Sequence, residues 1–265
     1  DRRAYSLAGA CRFVSTSSCP DDRAATRAVL VQRRARRYAG SMNFLSHAVP
    51  YLDSPLLAVS TGIPDWLRVI DRKHRARGRV AREFLNSDDA DLRAVAGGII
   101  RHIEDDRWFH GTEAFVDTNM RLAVELREWL PGDAGFRPTF VGHILIEMLL
   151  DSFWIRDDRG IADRYYGAVD GVRFETIERC VNTITGKPTD RLPEVIKRFA
   201  EARFLYDYLD YDKLLVRLNQ VVKRVGLTPL PEELRDWLPR AKKLVESRRR
   251  ELLLPPSDHR PFPFS

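Results

Sequence analysis

Between Arg137 and Ile155 the sequence reads RPTFVGHILIEMLLDSFWI, and the placing of its polar residues limits what the whole chain can become. Residues four apart share one face of a helix. His143, Glu147 and Asp151 therefore stack on successive turns, while Ile144, Leu145, Ile146, Met148, Leu149, Leu150, Phe153 and Trp154 fill the rest of the circumference. A helix apolar on nearly every side is a buried one. A buried carboxylate without a partner is costly enough that it neutralises instead. Glu147, and Asp151 with it, must therefore face a cation, a hydrogen-bond network or a polar cavity. A metal ion would satisfy His143, Glu147 and Asp151 together.

A second ladder of the same spacing lies in GIIRHIEDDRWFHGTEAF, where His102, Asp106 and His110 follow one another at intervals of four. His47 sits in the apolar start MNFLSHA, and Asp65 follows a turn marked by Gly62 and Pro64. Asp65 has two compatible readings, as the N-cap of a helix starting at Trp66 and as a metal ligand, because a carboxylate has two oxygens. A lone histidine on an apolar face is more often a hydrogen-bonded core residue, so the argument rests on the set. Imidazole with carboxylate favours Zn, Mn or Fe over the all-oxygen ligation of Ca or Mg. His47, Asp65, His102, Asp106, His110, His143 and Glu147 are more ligands than one tetrahedral ion needs, so two or three divalent ions are expected, Zn or Mn first and Fe as a further option. Asp106, His110 and Glu147 are the residues expected to carry the chemistry. Asp151 is a candidate to orient a ligand imidazole, whereas Asp105 is read as a solvated helix residue. Paired metals stabilise both oxygens of an in-line phosphate displacement, so hydrolysis of a phosphodiester is the expected output.

The chain has 265 residues, 44% hydrophobic with five Trp, which is ample for a core. Its net charge of +6 points towards nucleic acid until it is located: the first 41 residues hold nine Arg against three Asp, and the remainder balances. A nucleic-acid partner is therefore not expected. Residues 1–41 also hold two of the three Cys, no His and no Trp, and run into RRARR at Arg33 to Arg37. They read as a basic, disordered extension outside the fold, with an organellar-type transit arm as the sharper alternative. The helical domain is expected over residues 42–254, followed by a Pro-rich tail at 255–265 that holds His259. No run of 18 apolar residues argues for a transmembrane helix, and no apolar signal core is seen near residue 1. Cys180 alone follows Met42, so no disulfide framework is expected and a cytoplasmic setting fits.

No strand alternation, heptad seam or internal repeat is visible. The expectation is an all-α fold, a single bundle of roughly seven to nine helices with a buried metal site. Interruptions are expected near Gly97, Gly98 and Gly111, a loop from Pro131 to Pro138, a helix from Glu194 to a Gly cap at Gly226, and a last basic helix over residues 232–254. Phe199, Phe204, Tyr206, Tyr208 and Tyr211 are read as core rather than as a substrate channel. The segment Asp71 to Arg82 concentrates positive charge. It is either a solvated face or a docking surface for an acidic partner or phosphate, with Arg72, Arg75 and Arg79 as substrate-binding candidates.

MNFLSHA at Met42, GIPDW at Gly62, GIIRHIEDD at Gly98, DSFW ending at Trp154 and YLDYDKLLVRLNQVVKRVG at Tyr208 together resemble the acyl carrier protein phosphodiesterase family, in order and spacing over about residues 42–250. The resemblance implies an α-helical, HD-like metallohydrolase that releases phosphopantetheine from acyl carrier protein with a divalent metal. It places His47, Asp65, His102 and Asp106 at the family's polar positions. This chain departs from the family in having His143 and Glu147 where an Asp-centred motif is usual, and His110 where an acid is common. The resulting ligand order is similar to that of zinc-dependent phospholipase C and P1-type nucleases. Three functions therefore stand as expectations: a phosphodiesterase acting on acyl carrier protein, one acting on another small phosphodiester, or a non-catalytic helical binding protein.

Overall fold

The computed structural model describes residues 44–130, 132 and 137–253; the expected N-terminal extension, Met42, the tail with His259 and most of the loop before Arg137 lie outside the described residues. The described part forms α1 (Phe44–Ala48), α2 (Pro55–Ser60), α3 (Ile63–Ile70), α4 (Gly78–Ala81), α5 (Ala90–Phe109), α6 (Glu113–Trp129), α7 (Arg137–Asp157), α8 (Gly160–Gly171), α9 (Phe174–Thr185), α10 (Leu192–Ala202), α11 (Tyr211–Arg224), α12 (Leu238–Ser247) and α13 (Arg249–Leu253), and no strand. The all-α expectation holds. The helices outnumber the expected seven to nine because several are a single turn or two, too short to show a period in sequence.

The apolar stretch that opened the sequence analysis is α7, and every residue from Pro138 to Phe153 is buried. By length and composition it could cross a membrane, but it runs through the interior, packed by α1, α6, α8, α11, α12 and the 3-10 segment Phe204–Leu209. Gly142 permits its closest approach: a Cβ there would lie 2.6 Å from Asn119 Oδ1 and 3.3 Å from Leu122 Cβ of α6.

The long helix α5 departs from expectation. It passes through Gly97 and Gly98 without a break, starting at Asp89, whose carboxylate accepts from the Asp91 and Leu92 amides. Gly98 is a packing residue, not a breaker: a Cβ would come within 2.5 Å of Ser60 Cβ and 2.7 Å of the Leu57 carbonyl on α2. The chain turns only at Gly111, and Thr112 then caps α6 through the Phe115 amide.

The expected helix from Glu194 to Gly226 is divided. Arg203 adopts φ 42°, the left-handed region, and separates α10 from the 3-10 turn that precedes α11. That conformation costs a non-glycine residue roughly 1–2 kcal/mol. It is offset here by an ion pair to Asp170 at 2.9 Å and by stacking over Tyr166. The α11 helix does end as expected, with Gly226 at φ 80° and the Leu227 amide reaching back to the Val222 carbonyl. The expected last helix is likewise split, into a 3-10 turn at Glu232–Asp236, α12 and α13. Phe199 and Tyr208 are core residues, and Phe199 joins Phe44, Trp66 and Phe204 in one aromatic cluster.

A candidate metal centre

Each half of the centre is assembled from a long helix and a residue brought from elsewhere. On α5, His102 and Asp106 face His47 of α1. His102 Nε2 stands 3.4 Å from Asp106 Oδ2, and His47 Nε2 stands 3.4 Å from Asp106 Oδ1, with the two rings 4.6 Å apart. On α7, His143 and Glu147 face His110 at the end of α5. The Nε2 atoms of His110 and His143 lie 2.8 Å and 3.1 Å from the same oxygen, Glu147 Oε1, with their rings 4.4 Å apart. Phe115 packs edge-on against both rings and walls this side. Within each triad the candidate ligand atoms all fall within 4.8 Å of one another, so either triad can hold a metal ion.

Asp65 lies within electrostatic reach of both halves. It is not the N-cap of its helix: α3 begins at Ile63, because Pro64 is well placed in a first turn, and Asp65 falls inside it. Its side chain is buried and its Oδ1 has no hydrogen-bond partner. Burial raises its pKa well above the carboxylate range, and the charges of Asp106 and Glu147 push it further in the same direction. One carboxylate feeling an acid from each triad, with an orphaned oxygen, is the signature of a place that a cation would complete.

The other groups are poised by the same balance. Burial alone would raise Asp106, but His102, His47 and His110 outweigh it and hold the acid far below its usual range. Burial likewise works against Glu147, and His143 with His110 brings it to about 2. His102 is pushed down to about 4 by burial, despite Asp106, and so keeps a free lone pair at neutral pH. His47 goes the other way: burial lowers it, but the hydrogen bonds its ring donates to Asp105 and Asp106 win and lift it well above 6.5. His110 is also raised, because Glu147 and Asp106 overcome its burial.

No family model, curated protein or solved structure matches the chain significantly. The site is therefore read from its own geometry.

Of the seven expected ligands, His47, Asp65, His102, His143 and Glu147 are buried and Asp106 and His110 partly so; six of them form the two triads, and Asp65 is coupled electrostatically to both. Two supporting residues behave differently from expectation. Asp105, read as solvated, is the group that holds His47, with Oδ2 3.2 Å from Nδ1. The signal was faint, since position 105 adjoins the ladder instead of continuing it. Among the described residues Asp151 makes no hydrogen bond to an imidazole. It accepts from the Leu45 amide at 3.1 Å, the Ser46 amide at 3.0 Å and the Ser46 hydroxyl at 3.0 Å, and so fixes the start of the helix that carries His47. Trp154 adds a donor to the same hydroxyl.

The three arginines expected to bind substrate do not form one cluster. Arg72, Arg75 and Arg79 are all exposed. Arg72 lies within electrostatic reach of Arg224, which in turn feels Asp65. Arg79 instead lines a separate cavity along α5. Arg224 and Arg68 were missed. Arg68 follows Asp65 by one turn on α3 and adds positive charge near Asp65 and His102, whereas nothing local in sequence ties Arg224 to the site.

Proposed function

We propose that this chain is a metal-dependent phosphodiesterase whose centre holds one divalent ion per triad, with room for a third at Asp65. The observation that carries the reading is the pair of His-His-carboxylate triads joined by a buried acid with an orphaned oxygen. Imidazole-rich, carboxylate-containing sets suit Zn or Mn, with Fe as the alternative. Bound there, such ions supply Lewis acidity to a phosphoryl oxygen.

The chain's own residues do the rest. Asp106 offers one oxygen to each of two imidazoles, Glu147 serves His110 and His143 through one oxygen, and His110 sits between the charges of both acids. These three are the residues assigned to the chemistry. Arg68, Arg72 and Arg224 place positive charge on the side of Asp65 and favour an anionic substrate. Asp105 and Asp151 set the position of His47.

In its sharpest form the substrate is holo acyl carrier protein, from which the phosphopantetheine arm is released, as the motif resemblance implies. A wider form, favoured by the His110, His143 and Glu147 set, is a small phosphodiester of the kind cleaved by zinc phospholipases or nucleases.

Metal content of protein purified without chelator, measured beside turnover of a chromogenic phosphodiester and mass loss from holo acyl carrier protein, tests each level. Two or more equivalents of metal and turnover that falls by roughly 100-fold or more in Asp106→Asn or His143→Ala support the hydrolase. Absence of metal would leave a non-catalytic binding protein. Turnover of the chromogenic ester with an intact carrier would restrict the substrate to small diesters.

A further inference from the structure

Along the face of α5 made by Ile100, Ile103, Glu104 and Arg107 there is a cavity of about 200 Å³, closed on its other side by Gly78, Arg79 and Arg82. It is not the metal centre. Positions 103 and 107 are turned about 100° around the helix from His102 and Asp106, and none of the seven candidate ligands lines it.

Its chemistry is asymmetric. Three guanidinium groups stand against the single carboxylate of Glu104, which is engaged by Arg82. Neither Arg79 nor Arg107 has an ion-pair partner among the described residues. Elsewhere in the bundle Arg156, Arg164, Arg179, Arg217, Arg235 and Arg248 are each paired with a carboxylate. Two forks without an ion pair thus line one cavity whose single carboxylate is already taken by Arg82. Ile100 is buried and Ile103 partly so, which gives the cavity an apolar floor.

Gly78 keeps it open. A Cβ at that position would meet Ile103 Cδ1 at 3.5 Å and Cγ2 at 3.6 Å, ordinary contact distances, so a larger side chain could enter without strain and occupy the space. The volume is below the roughly 300–1,000 Å³ that encloses a drug-sized ligand. A nucleotide is too large, and a bare inorganic ion would leave the isoleucines unused.

We propose that this cavity is a second, metal-independent binding site that takes a phosphate monoester carrying a short apolar group, its phosphate between Arg79 and Arg107 and its apolar part over Ile100 and Ile103. Guanidinium matches phosphate in a planar, bidentate geometry that other anions match less fully. The site stands whether or not the metal centre is a phosphodiesterase.

The test uses the full chain as purified, and the site counted is the one that Arg79→Ala with Arg107→Ala removes, because phosphate held on a metal ion would survive that variant. Phenyl phosphate and inorganic phosphate are titrated calorimetrically. The expected result is one site per chain, with phenyl phosphate the tighter ligand. Arg79→Ala with Arg107→Ala should weaken it by about tenfold or more, the loss expected when charge-assisted hydrogen bonds to phosphate are removed. Gly78→Val should abolish it, and His102→Ala should leave it unchanged. Both arginines are exposed, so the double variant keeps its fold, which a matching thermal melt checks. No saturable binding, equal affinity for the two phosphates, binding untouched by the double arginine variant, or binding lost in His102→Ala would each overturn the assignment.

Discussion

His47 and His110 are imidazoles whose surroundings favour the proton, and that has a measurable consequence. In metal-free protein both are raised above 6.5, so each contributes stability that is complete below about pH 6.5 and disappears as pH rises through its folded value. A metal ion takes the unprotonated ring. Binding near neutral pH should therefore release protons, and apparent affinity should rise with pH. Calorimetric titration of Zn in two buffers of different ionisation heat reads the release directly, and identical heats would contradict the arrangement. Asp151 acts in the same direction at lower pH: burial, against the pull of the Leu45 and Ser46 donors, moves it from 3.8 to about 7. Its stabilising contribution is thus present below about pH 4 and lost towards pH 7. Asp151→Asn keeps an acceptor without the ionisation and should flatten the dependence of urea stability on pH across that window. Asp151→Ala instead strands the buried Leu45 amide at a cost of about 1–3 kcal/mol and should weaken metal binding at His47.

At the scale of helices, the two glycines of α5 show what local sequence cannot convey. Gly98 reads as an interruption, yet it lies mid-helix against α2. Gly98→Ala should push α2 and α5 apart and lower stability by roughly 1–3 kcal/mol. Gly167 is the control: it lies in α8 with nothing within 4 Å of a would-be Cβ, so Gly167→Ala should be neutral or stabilise by about 0.5–1 kcal/mol. Urea midpoints of the two variants check the contrast, and an equal shift in both would mean that propensity, not contact, governs these sites. The long helix α7 was legible because its periodicity spans many turns, and its boundaries differ from those expected by two residues at one end. The short α1, α2 and α4 were not, since four to six residues hold too few turns to reveal a face. The division at Arg203 was hidden for another reason: nothing about arginine announces a left-handed backbone.

For the molecule as a whole, the candidate centre draws on α1, α3, α5 and α7, so removing the proposed ions should loosen all four. Chelation should lower the melting temperature, by the equivalent of about 2.7 kcal/mol when metal stands at a hundred times its dissociation constant. His102→Ala should lose the ion of its own triad and keep that of His110, His143 and Glu147, giving a reduced but non-zero metal content. Complete loss would mean that the two triads fill only together. The sequence by itself determined the all-α class, the buried helix α7 and the seven polar residues, because spacing by four is a property of a single helix and needs no partner to be seen. Only the tertiary structure decided that the two ladders meet, that Asp65 lies within electrostatic reach of both, that Asp105 holds His47 while Asp151 holds its backbone, and that Arg72 and Arg79 go to different places. Those facts rest on contacts between segments up to 106 residues apart, and such contacts are set by how helices pack, which leaves no period in the chain.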